Sequence, residues 1–415
     1  MKNKTEKELF RFTTIGSVDN GKSTLIGRLL FDSKAIYKDQ YEEISGENVD
    51  WQSTNFNLAH LTDGLKKERE DGITIDVAYR YFSTSKRKFI ISDSPGHLEY
   101  TRNMVTGSSN ANAAVILIDA QNGLDKQTKR HTIISSLLKI PHIIVCVNKM
   151  DKVEYNYQKF EDIRKEYEAF ASKLRFSDVR FIPISALNGD NIVNKSTNMP
   201  WYHGGTLMYT LENMYFSSDR DLVNCRLPVQ SVKASENTKY IAGTIAGGVF
   251  RKGDKVLILP SNKTTLIKRI SIFKDELEEV FASQSVLLEL DENINMLRGD
   301  IVVRPNNKPL ESSKVDAMIC WFDDSKKMKL GGEYIFFSLN REVNCRVDKI
   351  FYKLDINTLH RDFSFEKIKG NDIARIKLET DQVVYFDPYA KNKITGSFIL
   401  IDKESNNTVA AGMIR

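Results

Sequence analysis

The sequence predicts an α/β domain, with a mostly parallel sheet covered by helices on both faces, followed by two β-barrel domains. In the first half, short apolar runs alternate with long charged segments, a pattern typical of a parallel sheet. After about residue 220, short β-rich runs are separated by turn signals, which is the spacing of barrels. The polar stretch Pro305–Ser313 divides that second half. The predicted domains are therefore 1–220, 221–309 and 310–415.

The predicted elements of the first half follow one another in order. The first strand, Phe10–Ile15, runs into a glycine loop and then a helix-like run, Ser23–Leu30. The charged segment Tyr157–Leu174 is predicted to be a helix. The other strands are predicted at Phe89–Ser92, Ala113–Asp119, His142–Val147 and Arg180–Ile184. In the second half, turn signals such as Gly247–Gly248 and Gly331–Gly332 separate the strands.

Composition and charge indicate which classes of protein this chain can belong to. The chain has 415 residues, 41% of them hydrophobic, and a formal net charge of +5, which permits nucleic-acid contact without requiring it. Its four cysteines are far apart, which argues against a disulfide framework or a zinc site and favours a reducing compartment. The start, Met1–Phe10, lacks the apolar core of a signal peptide, and no apolar run approaches the roughly 18 residues of a membrane span. We expect a cytoplasmic protein without a membrane partner.

A phosphate-binding loop is predicted after the first strand. The run Gly16–Ser23 fits the pattern GxxxxGK[ST] and lies between a predicted strand and a predicted helix. Backbone N–H groups of such a loop point at phosphate oxygens, and the helix N-terminus adds a positive dipole. Lys22 is predicted to reach the β- and γ-phosphates, and Ser23 to bind Mg²⁺. The other interpretation, a chance glycine turn, does not account for the flanking elements. The predicted nucleotide-binding residues here are Gly16, Ser17, Val18, Asp19, Asn20, Gly21, Lys22, Ser23 and Thr24.

A second motif selects guanine as the base. Asn148, Lys149 and Asp151 belong to the run NKMD, which follows a buried strand. The Asp151 carboxylate can accept hydrogen bonds from guanine N1 and N2, whereas adenine lacks both donors. Taken alone, NKMD is equally compatible with a turn at the end of a strand. After a phosphate loop, it predicts a GTP/GDP site. Weaker support comes from Ser185, Ala186 and Leu187, whose backbone amides are predicted to support the guanine.

Two further segments are predicted to complete a GTP-hydrolysing site. In DSPGH, Asp93 is expected to bind Mg²⁺ through a water and Gly96 to approach the γ-phosphate. His97 is predicted to orient the attacking water, although a lone histidine is more often structural. Thr74, in GITI, is expected to complete the Mg²⁺ shell and to sense the γ-phosphate, as a switch residue does. The candidate catalytic residues are Lys22, Thr74 and His97.

These motifs resemble those of translation-factor GTPases. Within that group, the chain most resembles the GTPase subunit of two-subunit bacterial ATP sulfurylase. The resemblance covers the whole chain and is strongest up to about residue 205. The segments that carry it are Gly16–Leu30, Leu65–Phe82, Asp93–Gly107, Gln127–His131 and Asn198–Gly204. Ser94 and Asp71 depart from the usual pattern of the family, but neither replaces a predicted phosphate, Mg²⁺ or base ligand.

The resemblance implies a function and a partner. In that family, GTP hydrolysis drives the formation of adenosine 5′-phosphosulfate and pyrophosphate from ATP and sulfate, and a smaller subunit carries the ATP and sulfate site. The resemblance therefore implies a heterodimer or a higher assembly. Some relatives carry a fused adenylylsulfate kinase. No second phosphate loop follows in this chain, so we expect no kinase activity.

The sequence leaves other functions open. One is a translation elongation factor-like GTPase that binds aminoacyl-tRNA, the only case in which we expect a nucleic-acid partner. Another is a regulatory module that uses GTP only as a switch. The segment between Leu30 and Gly72 also has two interpretations: its charged run Lys66–Asp71 is typical of a solvated helix face, or of an arm that binds a partner.

Overall fold

The computed structural model describes residues 7–33, 76–97, 100–174, 176–216, 221–235, 238–292 and 294–415. The described residues divide into two compact units. One lies within Met1–Phe216 together with Ile356–Leu359, and the other within Ser217–Asp355 and His360–Arg415.

The first unit is built on a six-stranded sheet with the strand order β2-β3-β1-β4-β5-β6. Its strands are β1 (Leu9–Ile15), β2 (Ala78–Ser83), β3 (Lys88–Asp93), β4 (Ala113–Asp119), β5 (His142–Asn148) and β6 (Asp178–Pro183). All neighbouring strands run parallel except β2, which pairs antiparallel with β3. The carboxyl ends of the parallel strands therefore meet at one edge, where ligands bind in such sheets.

Helices cover both faces of this sheet. The described helices are α1 (Lys22–Asp32), α2 (Thr101–Ser108), α3 (Lys126–Leu137), α4 (Tyr157–Ala171), α5 (Leu207–Asn213) and a 3₁₀ helix (Met150–Val153). Helices α1 and α5 pack on one face, in a core with the alternate β4 residues Ala113, Val115 and Leu117. On the opposite face, Ser108 of α2 lies within hydrogen-bonding distance of Thr13 of β1. Every residue of β4 is buried, as expected for a strand covered on both sides.

Side-chain caps determine where three of the helices begin. Asp125 accepts a hydrogen bond from the Thr128 N–H at the start of α3. Asn156 and Thr206 cap α4 and α5 in the same way, each accepting a hydrogen bond from a backbone N–H of the first turn. Each cap satisfies a backbone donor that the first helical turn leaves unpaired.

The second unit contains only β-strands among its described elements. They are β7 (Arg226–Pro228), β8 (Ser231–Ser235), β9 (Thr238–Thr244), β10 (Val249–Arg251), β11 (Lys255–Leu259), β12 (Lys263–Ile272), β13 (Asp275–Glu276), β14 (Glu279–Phe281), β15 (Ser285–Leu290), β16 (Ile301–Val303), β17 (Leu310–Trp321), β18 (Glu333–Ser338), β19 (Arg341–Leu354), β20 (Arg361–Asp362), β21 (Ile373–Phe386), β22 (Ser397–Ile401) and β23 (Thr408–Ile414).

These strands form two larger antiparallel sheets and a small one. The eight-stranded sheet has the order β7-β16-β11-β12-β15-β9-β8, with β13 paired to β12, and β10 pairs with β14 separately. The seven-stranded sheet has the order β18-β22-β23-β17-β21-β19-β20, and an additional β18–β19 pairing closes it into a barrel. Each larger sheet encloses its own hydrophobic core.

The structure confirms the predicted fold class, an α/β domain with a mostly parallel sheet followed by antiparallel β structure. The predicted strands of the first half correspond to β1, β3, β4, β5 and β6; the bounds of β4 agree, and those of the others are shifted by one or two residues. Sequence reasoning missed the edge strand β2 and the short helices α2, α3 and α5. The domain boundaries at 220 and 309 remain a prediction. Within the described part of the chain, no helix is long and apolar enough to cross a membrane.

Candidate functional site

The loop between β1 and α1 is held in shape by left-handed backbone and by a hydrogen bond to β4. Asp19 has φ 64° and Gly21, the N-cap of α1, has φ 89°. The Asn20 side-chain amide donates to the Leu117 carbonyl oxygen of β4 at 2.9 Å. A Cβ at Gly21 would collide with the Asn148 side chain, so only glycine fits there. The loop therefore lies at the carboxyl edge of the sheet, at the N-terminus of α1.

Lys22, the first residue of α1, is only 6% exposed. Its Nζ donates to the carbonyl oxygens of Gly16 at 3.0 Å and Ser17 at 2.8 Å. Burial lowers the pKa of Lys22 to about 8, although the charges of Asp93, Asp19 and Asp125 oppose the shift. The loop thus holds one desolvated cation that is well placed to exchange carbonyl partners for a stronger anionic acceptor.

The segment after β3 lies directly against this loop. A Cβ at Gly96 would lie 2.5 Å from Lys22 Nζ and 2.7 Å from the Gly16 carbonyl oxygen. Asp93 is 2% exposed, and one of its carboxylate oxygens accepts a hydrogen bond from the Thr14 hydroxyl at 3.0 Å. The structure therefore brings the DSPG run and the phosphate-loop run into contact.

Asn148, at the end of β5, connects two loops that are far apart in sequence. Its Nδ2 donates to the Asn20 carbonyl oxygen at 2.8 Å, and its Oδ1 accepts from the Ala186 N–H at 2.9 Å. The side chain is 2% exposed, so both bonds are protected from water. One amide therefore joins the phosphate-loop run to the Ser185–Leu187 run.

Asp151 and Lys149 each have a partner that orients them. Asp151 Oδ1 accepts from the Ser185 hydroxyl at 2.6 Å, and the carboxylate is only partly exposed. Lys149 has φ 62°, and its Nζ lies 2.9 Å from the buried Asp119 carboxylate. The Asp151 carboxylate keeps further acceptor capacity, because a carboxylate offers about four lone-pair sites.

The outer side of the site is closed by Arg28 of α1. Its guanidinium donates to the carbonyl oxygens of Ala186 at 3.4 Å and of Leu187. An ion pair with Asp32, 3.5 Å away in the same helix, supports it. The Leu187 side chain itself is 51% exposed, so the contribution of this residue to the loop is its backbone.

Of the other two predicted catalytic residues, the structure describes only His97. The His97 side chain is exposed, and its ring centroid lies 5.9 Å from that of Tyr100. Thr74 lies outside the described residues, as does the charged run Lys66–Asp71. Ser23 and Thr24, in the first turn of α1, are partly exposed.

Sequence reasoning missed Asp119 and Arg28. Asp119 ends a predicted strand, and an acidic residue at the carboxyl end of a parallel strand is a signal that points to this edge. Arg28 gave no such signal, because its carbonyl partners are 158 and 159 residues away in sequence. Thr14, which orients Asp93, is one of three polar residues in β1, together with Arg11 and Thr13.

His131, in the QTKRH run, occupies a structural position in α3. Its side chain is completely buried, with Nε2 2.9 Å from the Gln127 side-chain nitrogen. Because the Gln127 oxygen accepts from Arg130, the amide nitrogen is the donor to His131. Burial lowers the pKa of His131 to about 3, with smaller contributions from the charges of Lys22 and Arg130. The imidazole is therefore neutral at physiological pH.

The donor set at this edge fits a hard divalent cation bound to phosphates. It offers a hydroxyl, on Ser23, and a buried carboxylate, on Asp93, beside the phosphate-loop run. Mg²⁺ is usually bound by one or two protein oxygens together with phosphate oxygens and waters. The described residues contain no cluster of three or more His, Cys, Asp or Glu that would bind a metal in the absence of a nucleotide.

Comparison with known proteins places the chain in a family. Residues 7–227 match the family described as Elongation factor Tu GTP binding domain, and residues 314–415 match GTP-eEF1A C-terminal domain-like. Sulfate adenylyltransferase subunit 1 of Aliarcobacter butzleri is 48% identical, with 100% of this chain and 89% of the relative covered. The protein of that name from Bacteroides fragilis is 47% identical, with 99% and 86% covered.

A second group of relatives is longer. The Bifunctional enzyme CysN/CysC of Mycobacterium tuberculosis is 47% identical, with 98% of this chain and 67% of the relative covered. The chain thus spans about two thirds of the length of these bifunctional relatives. The similarity to the subunit 1 proteins covers nearly all of this chain and 86–89% of the length of those two relatives. The chain therefore belongs to the sulfate adenylyltransferase subunit 1 family, and its N-terminal part to the family of elongation factor Tu GTP binding domains.

Proposed function

We propose that this chain is the GTP-hydrolysing subunit of a two-subunit ATP sulfurylase. The proposal rests on one observation. In a chain of this family, the Asn148 side chain joins the phosphate-loop run to the loop predicted to contact guanine. The names of the relatives favour this function over aminoacyl-tRNA binding. The relatives' names also support a partner, since a first subunit implies a second.

The phosphate groups of GTP are held by residues 16–24. Lys22 exchanges its two carbonyl partners for phosphate oxygens, an exchange favoured because the negative charge of the phosphates stabilises a buried ammonium. Gly16, Ser17, Val18, Asp19, Asn20, Gly21, Ser23 and Thr24 complete this binding loop. Ser23, Asp93 through a water and Thr74 would hold Mg²⁺, which would neutralise charge on the phosphates.

The guanine base is read by Asp151. Its carboxylate, oriented by the Ser185 hydroxyl, accepts from guanine N1–H and N2–H. Asn148 maintains the loops around the base, and Lys149, oriented by Asp119, covers one side of it. Ser185, Ala186 and Leu187 contribute their backbone, whose position Arg28 supports.

Hydrolysis needs a positioned water and little covalent chemistry from the protein. Gly96 brings its backbone close to the γ-phosphate, and His97 orients the attacking water. The exposed position of His97 supports a mechanism in which a partner or nucleotide-dependent ordering moves the imidazole inward. Thr74 senses the γ-phosphate and is released when that group leaves.

The adenylyl transfer takes place on the smaller subunit. An oxygen of sulfate attacks the α-phosphorus of ATP, the bond to the β-phosphate bridging oxygen breaks, and pyrophosphate leaves. The phosphosulfate anhydride formed is of higher energy than the bond broken, so the reaction needs a driving force. Hydrolysis of GTP to GDP and phosphate on this chain supplies it.

The test is a reconstituted reaction with labelled sulfate. The isolated chain should bind GTP and make no adenosine 5′-phosphosulfate. With the cognate smaller subunit, synthesis should exceed the GTP-free level with GTP, but not with GDP or a non-hydrolysable analogue. Synthesis by the lone chain, or a pair that GTP never stimulates, would contradict the proposal, and GTP-dependent binding of aminoacyl-tRNA would then favour the translation-factor function.

A further inference from the structure

Within the part of the chain that the structure describes, one face of the central strand β1 is left uncovered at its amino-terminal end. Strand β1 lies third in the sheet order, between β3 and β4, and such interior parallel strands are normally buried on both faces. Phe10 and Phe12 are buried, but Leu9 is 36% exposed and Arg11 is exposed. This alternation is typical of a strand with one face open to solvent.

The open face extends across the neighbouring strands. Residues paired across strands share a face, and Arg11 and Tyr81 both pair with Ile90, while Leu9 pairs with Lys88. Tyr81 is 68% exposed, and Tyr79, on the same side of β2, is 48% exposed. We call this surface the tyrosine face, formed by Leu9, Arg11, Tyr79, Tyr81, Lys88 and Ile90. It contains both tyrosines of the run Val77–Phe82 (VAYRYF), which the nucleotide site does not use.

Helix α2 covers only the carboxyl end of this part of the sheet. A Cβ at Gly107 would lie 2.5 Å from the Ser92 hydroxyl, which marks where α2 packs on β3. Beyond that contact, a cleft of about 220 Å³ opens, lined by Arg11, Tyr79, Tyr81, Ile90, Ser92 and Asn110. Ser92 is 5% exposed, and its Oγ has no hydrogen-bond partner. Buried polar groups are normally paired, so this hydroxyl is suited to bind an incoming side chain.

The charged side chains of the tyrosine face are all positive. Arg11 and Lys88 are its only charged members, and within the described residues neither forms an ion pair. A second copy of this chain would bring these cations together, which disfavours self-association through this face. Two cations are also too few for a nucleic-acid-binding surface, whose affinity comes from many contacts with phosphates. The composition, tyrosine with arginine around an apolar centre, is instead that of a protein interface.

We propose that the tyrosine face is the docking surface for an acidic, amphipathic helix of the smaller subunit. The inference rests on the proposed function, because it assumes that such a partner exists. A helix is the element that normally covers a parallel sheet, and acidic side chains along its edges would pair with Arg11 and Lys88. Its apolar stripe would cover Leu9, Ile90 and the two tyrosine rings.

The position of this surface also links docking to hydrolysis. Ile90 and Ser92 belong to β3, the strand that leads directly into Asp93 and His97. A helix seated on β3 would bias the position of the segment that carries the predicted water-orienting histidine. A ligand shifts such an equilibrium only by its differential affinity for the two states, so the face should bind the partner differently in the GTP and GDP states.

The first experiment measures the affinity of the full chain for the cognate smaller subunit by titration calorimetry. The double variant Tyr79→Ser/Tyr81→Ser should weaken binding about tenfold or more, as truncation of aromatic anchors does. The double variant Arg11→Glu/Lys88→Glu should mainly slow association and reduce its salt dependence. A matched control, Tyr209→Ser/Tyr215→Ser, removes tyrosines that are 60% and 70% exposed elsewhere on the same unit and should leave the affinity unchanged. All variants should retain GTP affinity.

The second experiment identifies the occupant. All four native cysteines are buried, so Tyr81→Cys introduces a thiol that a maleimide photo-crosslinker can label selectively. Irradiation of the complex should join it to an acidic helical segment of the smaller subunit. Unchanged affinity of the tyrosine variant in a pair that GTP stimulates, or a crosslink to a basic segment, would overturn the docking surface alone. Failure of the wild-type chain to bind the subunit or respond to it would instead overturn the proposed function, and with it this inference.

Discussion

At the scale of single residues, the candidate site depends on polar side chains that hydrogen bonds hold in place. Asp151 illustrates this: one carboxylate oxygen is held by the Ser185 hydroxyl, and the group is only partly exposed. An acceptor that the bound base covers is selective because a base without matching donors leaves it unpaired, at a cost of about 1–3 kcal/mol. Base specificity is therefore expected to reside in this one side chain.

Replacing Asp151 should change which base is bound. Asp151→Asn puts an amide donor opposite guanine N–H groups, so GTP affinity should fall by about tenfold or more. Xanthosine triphosphate, which has a carbonyl in place of the guanine 2-amino group, should gain affinity. Fluorescence titrations with both nucleotides measure the change. Asn148→Ala serves as the control, because it removes support from both loops and should weaken both nucleotides alike. A variant at Asp151 with native GTP affinity would exclude it as the base-reading residue.

Lys22 predicts a pH signature for nucleotide binding. Burial holds its pKa near 8 in the nucleotide-free protein, below its ordinary value of 10.5. Phosphate charges raise the pKa again on binding, so at about pH 9 the chain should take up close to one proton per GTP bound. At about pH 7 the ammonium is already protonated, and this uptake should vanish. Calorimetry in buffers of different ionisation enthalpy measures the protons directly, and equal uptake at both pH values would contradict the assignment.

His97 is expected to act on turnover and not on binding. His97→Ala should lower partner-stimulated GTP hydrolysis by about a hundredfold, within the range of positioned acid–base groups, and leave GTP affinity nearly unchanged. Without the partner, turnover should already be slow, about 10⁻⁴ to 10⁻² s⁻¹. Phosphate release under single-turnover conditions separates the two effects. Identical rates for variant and wild type in the presence of the smaller subunit would remove His97 from the mechanism.

At the scale of elements, a buried ion pair connects the two larger sheets of the second unit. Arg226 of β7 is 1% exposed and donates to both carboxylate oxygens of Asp387, which follows β21, at 2.8 and 2.9 Å. Its third nitrogen, Nη1, donates to the Cys225 carbonyl oxygen and to the backbone and side-chain oxygens of Asn307. The Thr395 hydroxyl also donates to Asp387. Every charge in this network is paired, as burial requires.

Breaking that network should destabilise the second unit strongly. Asp387→Ala leaves a buried guanidinium without its counter-charge, which should cost about 3–5 kcal/mol of unfolding free energy. Replacing both partners, Arg226→Met with Asp387→Leu, should recover most of the loss, since no buried charge then remains. Urea unfolding followed by circular dichroism measures the difference. The exposed pair Arg251–Glu279, at 3.1 Å, is the control, and Arg251→Ala should cost less than about 1 kcal/mol.

At the scale of the whole molecule, the proposed function requires that loss of the γ-phosphate be converted into a change that the partner detects. The residue where GTP and GDP are expected to differ most is Thr74, which belongs to the switch run predicted from the sequence. Thr74→Ala should retain GTP binding and lose most GTP-stimulated synthesis, because it removes a γ-phosphate contact and no ATP-handling group. Parallel assays of labelled sulfate and of released phosphate test this. Full stimulation in the variant would show that coupling runs through another segment.

The sequence by itself determined the local chemistry of this protein. The runs GSVDNGKS, DSPGH and NKMD are short, and the types and spacing of their residues indicate the chemistry expected of each. Strand alternation with helices was likewise readable, since burial on both faces requires continuous apolar runs such as Ala113–Asp119. These features depend on near neighbours in the chain.

The tertiary structure decided what joins those motifs. That Asn148 connects Asn20 to Ala186, and that Arg28 reaches across to the same loop, depends on strand order and register, which bring together residues more than a hundred positions apart. The edge strand β2 was missed in the sequence, and the uncovered side of β1 emerged only from the structure. Whether Tyr81 lies in a core or in solvent is set by what packs over it among the described residues, and a local sequence pattern does not specify that.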